Sequence, residues 1–307
     1  MGSPVTSAQF RKLVEGHVQR VVRAKYDEIP SVKDKIYDVM TSDRAYEDFY
    51  SISGIQDIPR FTGQLSYLSM FPGWYTKIEP KEFAGALQFE RKLLDDERYG
   101  VLTDRASLLS ESARRTQVKY EVRPFAYAPT AAFDFTTSEE GVALASNSHT
   151  TKSGTSTTVG FDNLGTSPIS NTSIATTRLA MKQFRDDISE RFNMPDDLVL
   201  VVPQTQEEAA WTFVNTPSGY QTAASDKNFH AGRYEIMALP YLDDYDTASW
   251  GMVSKSLMKK YMKWIDRVKP DPNTTWDFDT FMLKLSIYLR FANGPTSWRF
   301  IYWHQVG

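Results

Sequence analysis

The side chains able to do chemistry are few and scattered. The 307 residues hold 4 histidines (His17, His149, His230 and His304) and no cysteine. None of the histidines lies in an HExxH arrangement. The lack of cysteine removes disulfides, thiolate metal sites and thiol nucleophiles together. Ser146, Ser148 and His149 set hydroxyls beside a base, but no strand–turn–helix elbow surrounds them, and a hydroxyl-rich loop yields such neighbours by chance. Three acidic pairs stand out: Asp95–Asp96, Asp196–Asp197 and Asp243–Asp244. Adjacent helical residues do not share a face, so the pairs are poor acid–base partners. Helix starts account for the first pair and suit the second. No Gly-rich loop ends in Lys-Ser or Lys-Thr, so residues 154–160 are no phosphate cradle. The expectation is a protein with no catalytic centre, no cofactor and no bound metal.

Composition narrows the class. Lys and Arg total 35 against 38 Asp and Glu, a net charge of −3, which excludes a strongly basic nucleic-acid binder. With 41% hydrophobic and 24% charged residues the chain is not disordered. Its length predicts one large domain or two to three subdomains. No apolar run is long enough for a bilayer and the first residues lack a signal-peptide core, so assembly from the cytosol, without a membrane, is expected. Aromatic residues (18 Phe, 16 Tyr and 7 Trp, 13%) exceed what a minimal core needs and suit wide interfaces.

The elements that would position these residues are α+β. Phe10, Leu13, Val14, His17, Val18, Val21 and Val22 follow helical spacing behind a Thr6/Gln9 capping pair, so His17 is expected to pack on the apolar face. The opposite face carries Arg11, Lys12, Arg20, Arg23 and Lys25. It reads either as an arm offering cations to an anion or as a solvated surface. From Ile52 to Leu94, Gly and Pro punctuate the chain and Phe83, Gly85, Leu87 and Phe89 alternate with their neighbours. This predicts a long β-hairpin or extended loop, its turn at Phe71–Pro72–Gly73 or at Glu79–Pro80–Lys81. Phe71, Trp74 and Tyr75 beside a turn are costly to leave in water and argue for a partner, unless the hairpin folds back on its own core.

A second helix is expected over Leu93–Val122, opened by Asp95, Asp96 and Glu97. Arg114, Arg115 and Lys119 lie late in it, and Pro124 and Pro129 end it. Leu94, Val101 and Leu108 repeat every seven residues, and Gly100 weakens the helix by up to about 1 kcal/mol relative to Ala. Residues 136–173 read as a loop or hairpin region of low regularity, followed by a helix containing Ile174, Leu179, Met181, Phe184 and Ile188. A buried strand over Leu198–Val202 and a helix around Glu207–Val214 come next, then a strand over 234–239 closed by Pro240. The plainest signal is 281–291, where Phe281, Leu283, Leu285, Ile287, Leu289 and Phe291 alternate with Met282, Lys284, Ser286, Tyr288 and Arg290. This is a strand of about 35 Å. Asn293–Gly294–Pro295 reads as a turn into a return strand bearing Trp298, Phe300 and Tyr302.

Four segments carry a family resemblance: EFAGALQFERKLLDDERYG (82–100), GVALASNSHT (141–150), DLVLVVPQTQEEAA (197–210) and RYEIMALPYLDDYDTASWGMV (233–253). With the order of elements, the chain resembles the major capsid proteins of tailed bacteriophages with the Hong Kong 97-type shell fold, on the branch of Mu-like prophage major head subunits. The resemblance implies an N-terminal arm (1–52), an extended loop over the adjacent subunit (53–92) and a peripheral domain with a long spine helix (93–195). An axial domain (196–254) and a return to the peripheral domain (255–307) would complete it. It further implies hexamers and pentamers closing an icosahedral head around double-stranded DNA, within the virion. Partners would be further copies of itself, a portal protein, a separate scaffolding protein and, in some relatives, a decoration protein. The scaffold is expected to be separate because nothing at the N-terminus resembles the charged, cleavable scaffolding region of some members. On this reading Phe71, Trp74 and Tyr75 contact a neighbouring subunit, and Arg11, Arg20, Arg23, Arg114 and Arg115 line the interior beside DNA. No Lys, Asn and carboxylate here match the isopeptide cross-link of some relatives. The same fold builds encapsulin-like nanocompartments, the nearest alternative. A β-rich carbohydrate-active enzyme would instead need a cleft with two carboxylates about 5–10 Å apart.

Overall fold

The computed structural model describes residues 7–52, 54–68, 70–90, 92, 99–217, 227–277, 279–280 and 282–307, with the side chains at 7–15, 27, 52, 99 and 102 outside the description. The expected capping pair at Thr6/Gln9, the acids at 95–97 and the start of the second helix at Leu93 fall partly or wholly outside it. Among the described residues no helix is long and apolar enough to cross a membrane.

The fold is α+β and is organised around a sheet ordered β1 (Asp38–Thr41), β10 (Met262–Trp276), β11 (Met282–Pro295), β4 (Lys81–Glu90). β11 is the strand expected from its period of two. Its Leu283, Leu285, Ile287, Leu289 and Phe291 are all buried. They pack under helix α3 (Tyr99–Ala126), where Phe291 meets the rings of Phe83, Tyr120 and Phe135. β10 carries Pro270 and Pro272, which cannot donate to a ladder. The sheet accommodates this with register shifts between Asp266 and Asp271, leaving Pro270 unpaired.

Helix α3 runs through Pro124 to Ala126 instead of ending there. Proline has no N–H for the carbonyl four residues back. That carbonyl, on Tyr120, instead accepts from the Asn293 side-chain amide, while the Glu121 carbonyl accepts from the Tyr37 hydroxyl. Asn293–Gly294 is therefore not a turn. It is the buried end of β11, and a Cβ on Gly294 would lie 1.9 Å from Thr136 Oγ1.

Helix α1 (Ser7–Glu28) packs along α3. Val18, Val22 and Tyr26 form its inward line at i, i+4 and i+8, opposite Ala106, Ser110, Ala113 and Gln117 of α3. Ser110 Oγ donates to the Val22 carbonyl at 2.6 Å. This line turns His17 into solvent, so the expectation of a packing histidine is corrected. The small residues of α3 let α1 approach closely, which leaves Val101 and Leu108 of the expected seven-residue repeat exposed. Between the helices the buried Glu121 accepts from Ser31 Oγ (2.6 Å) and the Val32 N–H (3.0 Å), and burial raises its pKa.

A second sheet is ordered β6 (Leu164–Gly165), β12 (Ile301–His304), β9 (Trp250–Ser254), β7 (Leu198–Pro203), β8 (Glu235–Leu239), with α4 (Asn171–Lys182) and α5 (Glu207–Asn215) packed on it. Every residue of β7 is buried, as its unbroken apolar run predicts. β12 is the expected return strand, but it pairs with β9 and β6, not with β11. Here His304 is neutral by construction. Nδ1 accepts from the Ser167 N–H (3.2 Å), and Nε2 faces Thr177 Oγ1 (2.7 Å), whose own proton goes to the Ser173 carbonyl. The ring stacks on Trp250 at 4.4 Å, and Gly165 is bare because a Cβ would sit 2.4 Å from Nδ1.

Burial holds the pKa of His304 down to about 4. The unfolded chain takes up this proton near pH 6.5 and the folded chain only near 4. The stabilisation is therefore whole above pH 6.5 and is lost as pH falls to 4, by about 3 kcal/mol. Urea melts should show that decline, and His304→Gln should flatten it. Equal slopes for both proteins between pH 6.5 and 4 would refute the assignment.

A third sheet joins β2 (Glu47–Ile52), β3 (Pro72–Ile78) and β5 (Thr136–Ser138). The hairpin is thus β2–β3, with Ile52 opposite Pro72 and residues 53–71 between them. Neither proposed position is its turn. Glu79–Pro80 instead passes the chain from this sheet to β4 of the first.

Candidate assembly surface

The aromatic residues singled out in sequence divide. Phe71 is exposed. Trp74 and Tyr75 sit in β3 and are half-buried by their own subunit. Trp74 Nε1 donates to the Thr150 carbonyl at 3.0 Å. The Tyr75 hydroxyl donates to Asp48 at 2.6 Å, which pushes its pKa up to about 12, and its ring lies 5.2 Å from that of Tyr50.

The apolar surface lies on the segment between the strands. Ile58, Phe61, Leu65 and Tyr67 are 88%, 67%, 74% and 95% exposed, and Ile55 and Met70 are exposed beside them. Residues 55–68 and 70 make no hydrogen bond with any other part of the subunit. These residues were missed in sequence because nothing there is periodic. The available signal was the density of large apolar side chains in a Pro/Gly-broken stretch.

The cations divide too. Arg20 and Arg23 on α1 and Arg115 on α3 are exposed. Arg11 lies on α1 where side chains are outside the description. Arg114 is occupied: its Nε donates to the Ile29 carbonyl (3.2 Å) and its guanidinium lies 4.9 Å over the Tyr26 ring. This side chain fastens α1 to α3.

No catalytic arrangement forms among the suggested residues. His149 places Nδ1 on Glu140 and Nε2 on Asn163, each at 3.2 Å, and stacks on Trp298 at 4.3 Å. Ser146 and Ser148 do not reach its ring. The cavity beside it, about 60 Å³, holds Glu140 and Asp187, both already partnered, and is far below the few hundred Å³ of a ligand site. Asp196 pairs with Lys182 at 2.6 Å. Asp197 caps the start of α6 (Lys255–Tyr261) through the Ser256 N–H, and Asp243 receives the Gln204 and Thr205 N–H groups. Among the described residues no three His, Asp or Glu stand together to hold a metal.

The described residues thus form an α+β subunit of three sheets with an exposed apolar segment between β2 and β3. The family model described as phage capsid protein matches residues 74–304, and the chain belongs to that family. It is a structural major capsid protein of an icosahedral phage head with the Hong Kong 97-type fold, not an enzyme, and its place is the virion. Among solved structures it is similar to the capsid of an empty GTA particle (TM-score 0.56, 10% identity, 90% of this chain and 89% of that chain). It is likewise similar to a protein of Mycobacterium phage Patience (0.54, 9%, 99% and 90%) and of the procapsid of bacteriophage JBD30 (0.52, 12%, 98% and 76%). At such identities the likeness is one of fold. No curated protein matches the sequence.

Proposed function

We propose that the subunits gather into hexamers and pentamers, with residues 54–71 reaching onto the adjacent subunit and the closed shell enclosing double-stranded DNA. The observation that carries this reading is the exposed run of apolar side chains at Ile55, Ile58, Phe61, Leu65 and Tyr67 between β2 and β3. A lone subunit gains nothing from holding those side chains in water, and a lattice of copies removes all of them. Residues 196–254 take the axial position in this reading, and the sheet of β10 and β11 the peripheral one. A portal, a separate scaffold and a decoration protein are its expected partners, and the four sequence segments above support the Mu-like branch. Electron microscopy of the chain expressed with and without a candidate scaffold tests the reading. Closed shells are expected, and soluble monomer under every condition would overturn it.

The interior cations are Arg20, Arg23 and Arg115, acting on phosphate without sequence preference. Their joint replacement by Gln should leave empty shells intact and reduce genome retention at low salt. Arg114→Gln should do something else, lowering the melting temperature of the isolated subunit. A shell structure with α1 and α3 on its outer surface would end the interior assignment.

A further inference from the structure

β4 is the last strand of its sheet. It pairs with β11 from Lys81 to Glu90, and the main-chain groups of its other edge have no partner among the described residues. Proteins blunt such edges with proline, bulges or charge. β4 has none of these between Phe83 and Phe89 and keeps its charges at its ends. Beside the edge, between β4 and α3, lies an open cavity of about 310 Å³ lined by Phe83, Gly85, Leu109, Ala113, Ile287 and Leu289. The subunit itself does not require the glycine, since a Cβ on Gly85 would meet only Leu109 Cδ1, at an ordinary 3.5 Å. A glycine inside a strand weakens it and marks a place where another chain comes close.

The same chain carries a matching piece. After Gly63, whose φ of +104° bends the backbone, Gln64, Leu65, Ser66 and Tyr67 alternate polar and apolar with every main-chain group unpaired. An aromatic side chain across from a strand glycine shields the bare backbone and fills the gap.

We infer that residues 64–68 of one subunit add as a strand to the free edge of β4 in a neighbouring copy, with Tyr67 covering Gly85. The inference rests on the assembly reading above and names the surface that receives the segment. Donor and acceptor are different patches of one chain, so the contact is head-to-tail and repeats around a ring. Ser66 then lies on the opposite face of the new ladder. It stands beside Ala86 if the strands run antiparallel and beside Ala84 if they run parallel.

Hydrogen–deuterium exchange of the unaltered chain, as free subunit and as shell, is the first test. Amides of 64–68 and of 82–88 should slow together by about 100-fold or more on assembly. Unchanged exchange at 82–88 in shells would overturn the inference while leaving the shell reading intact. In this cysteine-free chain, oxidised shells of Ser66→Cys with Ala86→Cys, or with Ala84→Cys, should give a reducible ladder of oligomers. Dimers from Ala86→Cys or Ala84→Cys alone would show β4 pairing with another β4, and would equally overturn it. If the unaltered chain forms no shell with any scaffold, the assembly reading fails and this inference with it.

Discussion

Replacing residues 55–70 by a short Gly-Ser linker will leave a subunit that melts as the parent does and never forms a shell. The subunit is spared because Ile52 and Pro72 are already paired across β2 and β3, so a few residues close the loop at small entropic cost. Assembly is lost because the segment holds, among the described residues, the largest run of unburied apolar side chains. Fully burying an Ile, Leu or Phe side chain stabilises by about 1.5–3 kcal/mol. Burial of Ile58, Phe61, Leu65 and Tyr67 together thus offers about 6–12 kcal/mol per subunit. The net contact is modest, and a closed lattice repeats it on every copy. Deleting 64–82 would be uninformative, since it removes β3 and the start of β4 with the segment. Sedimentation velocity and microscopy decide the matter. Shells at parental yield from the linker variant would place the assembly surface elsewhere, and loss of cooperative melting would put the segment in the subunit's own core.

What was legible in the sequence follows from where the periodicity was local. β11 alternates from Met282 to Phe291 and β7 is apolar throughout, so both could be read without knowing their partners. α1 was legible as a helix, but its inward line depends on which residues α3 offers it, and this put His17 in solvent. β10 was hidden by Pro270 and Pro272, and the register slips between Asp266 and Asp271, leaving Pro270 out of the ladder. The run of α3 past Pro124 depends on Asn293, 169 positions away, supplying a donor to the stranded Tyr120 carbonyl. No short-range rule sees such a repair. The assembly surface suffered in the opposite sense. Trp74 and Tyr75 drew notice as large aromatics near a turn, yet β2 and the 139–152 loop absorb them. The less regular Ile58, Phe61 and Leu65 remain outside.

Asp187→Ala should destabilise the subunit by about 3–5 kcal/mol, the scale for leaving one member of a buried ion pair alone. Asp187 is buried and Arg299 mostly so, they meet at 2.6 Å, and Arg299 Nε also holds the Arg185 carbonyl at 2.8 Å. The turn they fix, with Ser189 at a φ of 65°, is the seat of the projecting segment. At one foot of that segment a Cβ on Gly54 would strike Asp186 Oδ2 at 1.8 Å. At the other, a Cβ on Gly73 would meet Ser51 Oγ at 2.1 Å and Asp187 Oδ2 at 3.0 Å. Bare backbone at both feet lets β2 and β3 press against the Asp186–Asp187 turn. The carboxylate and guanidinium therefore tie the base of the apolar segment to the strand end that leads into β12. Arg299→Met alone should cost a similar amount by stranding Asp187. The double variant Asp187→Ala with Arg299→Met should recover much of the loss, because two apolar groups leave no buried charge behind. Its subunits should melt near the parent and still assemble poorly, since the orientation of the foot is no longer fixed by a directional pair. Urea melts of the four proteins form the cycle. An Asp187→Ala protein within 1 kcal/mol of the parent, or single changes that simply add in the double, would show that the pair neither bears on stability nor couples the segment to the body.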